Sequence, residues 1–255
     1  MTATRVLVPS DEIDANTLAV VLSYVQKICH EQTAAVEEVI LLVPVKQTIR
    51  HTGLASALGE TISKKLHDGQ AVSLPFGISM RLETVKTLRW LTKRCVVICA
   101  YADKKMLDQI DAESKPAGVV AIPYAPGVLD QWQKAWSAHV HGLTQQPVAQ
   151  QLIADPVVEQ AFLGLTSTIN ISRSVLHPSD KEHVERILRI LRIKKHTFNT
   201  EDLRAWAVRH QWHPDTADEF AALATRISNL KAKPKLERAE DGERLYQRWV
   251  EKASE

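Results

Sequence analysis

The 255-residue sequence contains three cysteines, a number that cannot pair completely, and it has no surplus of one charge: the formal net charge is +2 with both signs spread along the chain. A disulfide framework is thereby excluded as the organising principle, and Cys29, Cys95 and Cys99, all on apolar faces, read as small buried hydrophobes. Without a dominant field, binding to nucleic acid or to an anionic surface would need a local patch. Long apolar runs are also missing. Val39 to Val45 and Cys95 to Ala100 are far shorter than the ~20 residues that cross a bilayer. Met1 to Val8 lack the basic and apolar regions of a secretory signal, so a cytoplasmic location and no membrane partner are expected.

Familiar catalytic signatures are missing too. There is no phosphate loop ending in Gly-Lys-Ser/Thr, no dinucleotide glycine fingerprint after the first strand, and no nucleophile elbow around a serine. No cysteine cluster could hold structural zinc, and His210 and His213 lack a third ligand, so no metal site, cofactor or catalytic residue is assigned. An enzyme is therefore the less favoured class.

What is present is alternation. From Arg5 to Gly142, short β-rich runs at Val6 to Val8, Val39 to Val45, Val72 to Met80, Cys95 to Ala100 and Gly118 to Ile122 alternate with helix-period stretches. That pattern predicts an α/β, Rossmann-like domain over 1–143, with a mostly parallel five-stranded sheet. Pro75 and Gly77 demote the third run to an edge strand or a bulged one. Helices are expected near Leu18 to Cys29, Gly53 to Leu66, Glu83 to Arg94, Lys104 to Asp111 and Val128 to His139. Residues 144–178, with Pro147 and Pro156, read as a linker and connecting helix. A small all-α module follows over 179–230, with three helices: one opened by a Ser179/Glu182 capping box, one over Glu201 to His210 and one from Pro214. The remainder, 231–255, is a charged tail with an amphipathic helix around Leu245, Tyr246, Trp249 and Val250.

The opening Val6-Leu7-Val8-Pro9-Ser10-Asp11, followed by a long helix and a second apolar strand, resembles universal stress proteins at the level of fold. That family places nucleotide phosphates on a late glycine-rich loop. The corresponding Ile122 to Gly127 has one glycine and two prolines, so the resemblance implies no nucleotide site. The stretches Asn170-Ile171-Ser172, His177-Pro178-Ser179-Asp180, Ala205-Trp206-Ala207 and Gln211-Trp212, with Leu88-Arg89-Trp90 in the first half, are similar to uncharacterised actinobacterial proteins of the same two-part build. This likeness implies architecture only.

Three sets of residues could carry function. In an open parallel sheet ligands bind beyond the carboxyl ends of the strands, which singles out Ser10, Asp11, Lys46, Arg50 and Asp103. Asp11 and Asp103 could hold a divalent metal and Lys46 or Arg50 an anion, whereas Ser10, Asp11 and Asp103 equally suit helix caps. On the expected helix Glu83 to Arg94, Trp90 shares a face with Lys86, Lys93 and Arg94, an arrangement that could stack on a base or anchor a protein; packing under a loop is the plainer reading. Arg186, Arg189, Arg192, Lys194 and Lys195 form a basic stretch in the helical module, followed by Arg226, Lys231, Lys233, Lys235 and Arg238. A helix-turn-helix reading meets Asp215, Asp218 and Glu219 where a recognition helix would face phosphates. Trp132, Trp136, Trp206 and Trp212 read as core.

The expected function is that of a non-catalytic interaction or regulatory protein, binding a protein partner or a second copy through the helical module and C-terminal helix. Nucleic-acid binding through the cationic clusters and Trp90 is the alternative. A small-ligand or nucleotide-binding enzyme at the strand ends is a further one.

Overall fold

The computed structural model describes residues 3–89, 91–113, 115–148, 150–232 and 239–255, and divides into two compact units, 1–149 and 150–255. Among the described residues, no helix is long and apolar enough to cross a membrane.

The first unit is built on β1 (Thr4–Leu7), β2 (Glu38–Val43), β3 (Val72–Ser73), β4 (Ser79–Thr84), β5 (Cys95–Ala102), β6 (Pro116–Pro123) and β7 (His139–Val140). Their order in the sheet is β3-β4-β2-β5-β6-β1-β7, parallel except for the β3–β4 hairpin. β5 is central, and its residues Cys95 to Ala100 are all buried, as a parallel strand covered on both faces requires. The period of two divides them: Val96, Ile98 and Ala100 enter one core and Cys95, Val97 and Cys99 the other. The first core is closed by α1 (Ala15–Glu31), α2 (Thr48–His51), α3 (Gly53–Leu58) and α4 (Glu60–His67), through Val21, Val25, Ile28, Ile49, Leu54 and Leu66. The second is closed by α5 (Lys104–Asp111) and α6 (Asp130–Trp136), through Met106, Leu107, Ile110, Leu129 and Trp132. All three cysteines are free thiols; burial pushes Cys95 up to about 12 and Cys99 higher still, so neither is a ready nucleophile.

α1 lies close against β6. A Cβ on Gly118 would come within 2.8 Å of Ile28 Cγ2 and 3.3 Å of the Thr4 carbonyl oxygen. Gly118→Ala is therefore expected to destabilise this unit by about 1–3 kcal/mol, through a forced shift of Ile28 or of the backbone. A denaturation midpoint unchanged from that of the parent would refute that close approach.

The sheet departs from the five-stranded expectation in two places. Pro75 and Gly77 do not merely weaken a strand; they turn the chain, so that Val72 to Met80 becomes a hairpin with β3 at the edge. Among the described residues no helix forms over the expected Glu83 to Arg94: Glu83 and Thr84 complete β4, paired with Leu42 and Val43, and Val85 to Thr87 form a turn closed by hydrogen bonds between Thr84 and Thr87. Leu88 and Leu91 are buried, but from an irregular segment. At the other edge, α6 stops at Trp136 because Ser137 takes a left-handed φ of 49°, which frees His139 and Val140 to pair with β1 as β7. The Gln146 side chain then bonds both backbone groups of Val140, at 2.8 and 2.9 Å, and covers that edge as a further strand would.

Among the described residues the second unit contains five helices, the three expected over 179–230 flanked by one in the expected connecting stretch and one in the tail: α7 (Pro156–Thr168), α8 (Pro178–Ile193), α9 (Thr200–Arg209), α10 (Pro214–Ser228) and α11 (Ala239–Ala253). α7 is no connector. Its Val158, Ala161, Phe162 and Leu165 are fully buried, and Phe162 meets the rings of Phe198, Trp206 and Phe220 edge-on or tilted at 5.1–5.6 Å. The Trp206 and Trp212 indoles donate to Glu159 and Thr166 of α7, both at 2.9 Å, so the two tryptophans bind the helices to this central element. α11 packs on α7 and α8 and buries Trp249.

Candidate functional site

The parallel order places β1 and β5 two strand spacings apart, about 10 Å, with β6 between them. Asp11 and Asp103 therefore follow strands that are not neighbours. Asp103 caps α5, its Oδ1 accepting from the Met106 N–H at 2.8 Å. The cap of α1 is Asp14, which accepts from Thr17, and neither Ser10 nor Asp11 has that role. The Ser10 hydroxyl donates to the Glu12 carbonyl at 2.6 Å, and Asp11 is exposed. Lys46 is exposed in the loop after β2, and Arg50, in α2, lies 3.8 Å from Asp68 across half-exposed surface. Capping accounts for Asp103 and surface pairing for Arg50. Two tyrosines stand out at the same end: Tyr101 sits in a bulge of β5 with φ 56°, unusual for a bulky residue, and Tyr124 after β6 is 59% exposed.

Trp90 lies outside the described residues. Its expected companions do not share a helix face, because Lys86 is in the turn after β4 and Lys93 in a bend before β5. Arg94 is held to the end of α1, its guanidinium on the Gln32 side chain and its backbone paired with Glu37. Lys86, Lys93 and Arg94 therefore do not lie on one helix.

The basic stretch of α8 is largely engaged within its own unit. Arg186 lies 3.7 Å from Asp241, and Arg189 is 3.4 Å from Glu185, which also takes Arg226 at 2.5 Å. The Arg192 guanidinium donates to the Ile227 and Leu230 carbonyls, satisfying acceptors left over at the end of α10. Lys194 meets Glu243 at 2.8 Å and lies over the Tyr246 ring. Lys195 takes the left-handed position after α8 with φ 66°. Of the following cluster, Lys231 is exposed, and Lys233, Lys235 and Arg238 lie outside the described residues.

Three constellations were not anticipated. In the first unit, Asp111 is a buried carboxylate bonded to Arg5 at 2.9 Å and to the indoles of Trp132 and Trp136 at 3.1 and 2.9 Å, with Arg5 stacked on Trp136. Burial pushes the Asp111 pKa up and the Arg5 pKa down, while their mutual attraction works against both shifts. In the same unit, the Tyr24 hydroxyl lies 3.0 Å from His139 Nε2 and 3.2 Å from His141 Nδ1. In the second unit, Asp155 Oδ2 lies 2.6 Å from His196 Nδ1, and His196 Nε2 lies 3.1 Å from the Tyr246 hydroxyl. Burial works to raise the Asp155 pKa, but the bonds from His196 and from the Val157 and Val158 N–H groups outweigh it and hold the carboxyl below its usual value. This carboxylate–imidazole–phenol chain ties the start of α7 to α11 through the loop after α8. Of these, only the His139-Val140-His141 spacing was visible in one dimension, since residues two apart on a strand face the same way.

The N-termini of α8 and α10 are built alike. His177 and His213, each followed by proline, cap the two helices by accepting from the N–H two residues on, so the expected Ser179/Glu182 box is replaced by a His-Pro start. His210, for its part, stacks on Trp206 and bonds its carbonyl. Between α7 and α8, the loop from Asn170 to His177 is fastened to both helix starts. Asp180 accepts from the Asn170 N–H at 3.3 Å, the Ile171 carbonyl accepts from His213 at 2.7 Å, Thr216 donates to the Arg173 carbonyl, and Glu219 accepts from Leu176 at 3.3 Å. Leu176 is buried beneath, while Arg173, Ser174 and Val175 face solvent, Val175 being 59% exposed.

A family described as Domain of unknown function (DUF1889) matches residues 154–250, a span that runs from just before α7 into α11 and so coincides with the helical unit. No curated protein and no solved structure matches the chain.

Proposed function

We propose that the chain is a non-catalytic interaction protein whose helical unit binds a protein partner. The observation that carries this reading is the Asn170–His177 loop, held by four hydrogen bonds to the starts of α8 and α10 while it presents Arg173, Ser174 and Val175 outward. A loop fixed in advance binds with little ordering entropy, and an exposed aliphatic beside an arginine suits a protein surface. The apolar face of α11, the docking element expected from the sequence, is turned onto α7 and α8 instead, so the contact surface moves to this loop.

The test uses the full chain as bait, with Arg173→Glu/Val175→Asp as the variant. Both side chains are exposed, so the thermal midpoint should stay within the small range typical of surface changes, about 0.5 kcal/mol in stability. A partner retained by the parent chain should be lost by the variant. Identical partner sets for the two, or no retained partner, would sink this assignment.

A further inference from the structure

We infer that Tyr24, His139 and His141 form a binding site for a late first-row divalent cation, copper(II) or zinc(II), on the β7 edge of the first unit. His139 belongs to edge strand β7 and His141 follows it, so the two imidazoles stand on one side of the strand, where α1 brings Tyr24 to them. The phenol oxygen is 3.0 Å from one ring nitrogen and 3.2 Å from the other. In a tetrahedral site with bonds of about 2.0–2.1 Å, neighbouring donors are about 3.3 Å apart. Each ring nitrogen thus needs to draw back from the phenol oxygen by only a few tenths of an ångström to reach that spacing.

The backbone makes this arrangement firm. The His141 N–H donates to the Leu7 carbonyl at 2.8 Å, His139 pairs with Val6, and Gln146 clamps Val140 between them. Tyr24 projects from a helix whose neighbouring Val21, Val25 and Ile28 are buried in the sheet core. His141 is exposed, which leaves an open side for water as a further ligand.

Chemistry selects the ion. Among the described residues no three His, Cys, Asp or Glu side chains are grouped for a metal, and the third donor here is a phenol. Two imidazoles and a phenolate suit copper or zinc, whereas calcium and magnesium prefer several carboxylate or carbonyl oxygens. On binding, the phenol proton passes to solvent, and a neutral imidazole protonated at its coordinating nitrogen carries that proton on its other ring nitrogen instead. With no ion, one tautomer of each imidazole lets the phenol donate to one ring and accept from the other, so the same groups remain satisfied.

The experiment titrates the full chain, first stripped with a chelator, with copper(II) or zinc(II) at neutral pH. One equivalent should bind saturably, and the copper form should show phenolate-to-metal charge-transfer absorption that Tyr24→Phe abolishes. His139→Asn or His141→Asn should weaken binding about a hundredfold, at least as much as losing an outer-shell partner typically costs. The chain has ten histidines, so the Tyr24→Phe/His139→Asn/His141→Asn variant measures binding elsewhere. If that variant binds as tightly as the parent, or Tyr24→Phe keeps the absorption, the site is refuted. Should the variants not fold, pulsed electron paramagnetic resonance of the copper-loaded parent decides: two coordinated imidazoles support the site, and fewer overturn it.

Discussion

Replacing Asp111 with Asn is expected to cost the α/β unit about 3–5 kcal/mol, the range for removing one partner of a buried ion pair. Asp111 has 2% of its side chain exposed and Arg5 10%, so the substitution leaves a largely buried guanidinium without its counter-charge. The two indole N–H groups that converge on Asp111 Oδ2 lose part of the same acceptor. Adding Arg5→Met should recover part of the loss, because no unpaired cation then remains, and the double-mutant cycle should show strong coupling. Since the chain has two units, the readout is hydrogen exchange resolved along the sequence, with protection falling in β1 and β6. A loss below about 1 kcal/mol for Asp111→Asn would mean that the pair behaves as a solvated surface contact, and the account of this cluster would fail.

Phe162→Ala should have an effect of similar size in the other unit, about 3–5 kcal/mol, from lost burial plus the cavity left among Phe198, Trp206 and Phe220. Hydrogen-exchange protection should fall in α7, α9 and α10, and stay unchanged in the sheet. That pattern separates a core role for α7 from the connecting role expected of residues 144–178. Weak destabilisation confined to α7 itself would restore the connector.

Where one-dimensional patterns served well, burial on a repeating face was the reason. Lys104 to Asp111 forms α5 with the bounds its sequence suggests, and Cys95 to Ala100 lies in the central strand, because each pattern has one repeating environment. Where they misled, a long-range ladder overrode local spacing. Val85, Leu88 and Leu91 repeat every three residues like a helix face, yet pairing of Glu83 and Thr84 with β2 commits the chain to a strand and turn. Likewise Trp132, Trp136 and Val140 read as one helical stripe, although Val140 is buried from β7 after a left-handed Ser137.

The candidate sites followed the same division. Asp103 could be placed at a helix start from its position after a strand, but that its strand is not next to the one before Asp11 required the strand order. Arg192 and Lys194 read as a free basic surface along the chain, but carbonyls at the end of α10 accept from Arg192 and Glu243 of α11 pairs with Lys194. Conversely, Asp155, His196 and Tyr246 are 41 and 50 residues apart in their two contacts, and no spacing rule joins them.

By itself, the sequence determined an α/β half followed by a helical half, because hydrophobic period and the positions of proline and glycine are local and survive without knowledge of neighbours. It could not settle how many strands and helices the first half holds. Edge strands of two residues, a central helix with few charges and a cap made by His-Pro all depend on what packs against them. Tertiary structure alone decided which charges are spent internally and which donors converge, since those are properties of distance in space. The odd cysteines that first excluded a disulfide scaffold prove to be free thiols, two of them buried in the central strand. The unassigned histidines of β7 became the more informative side chains because a sheet edge and a helix bring them to one phenol.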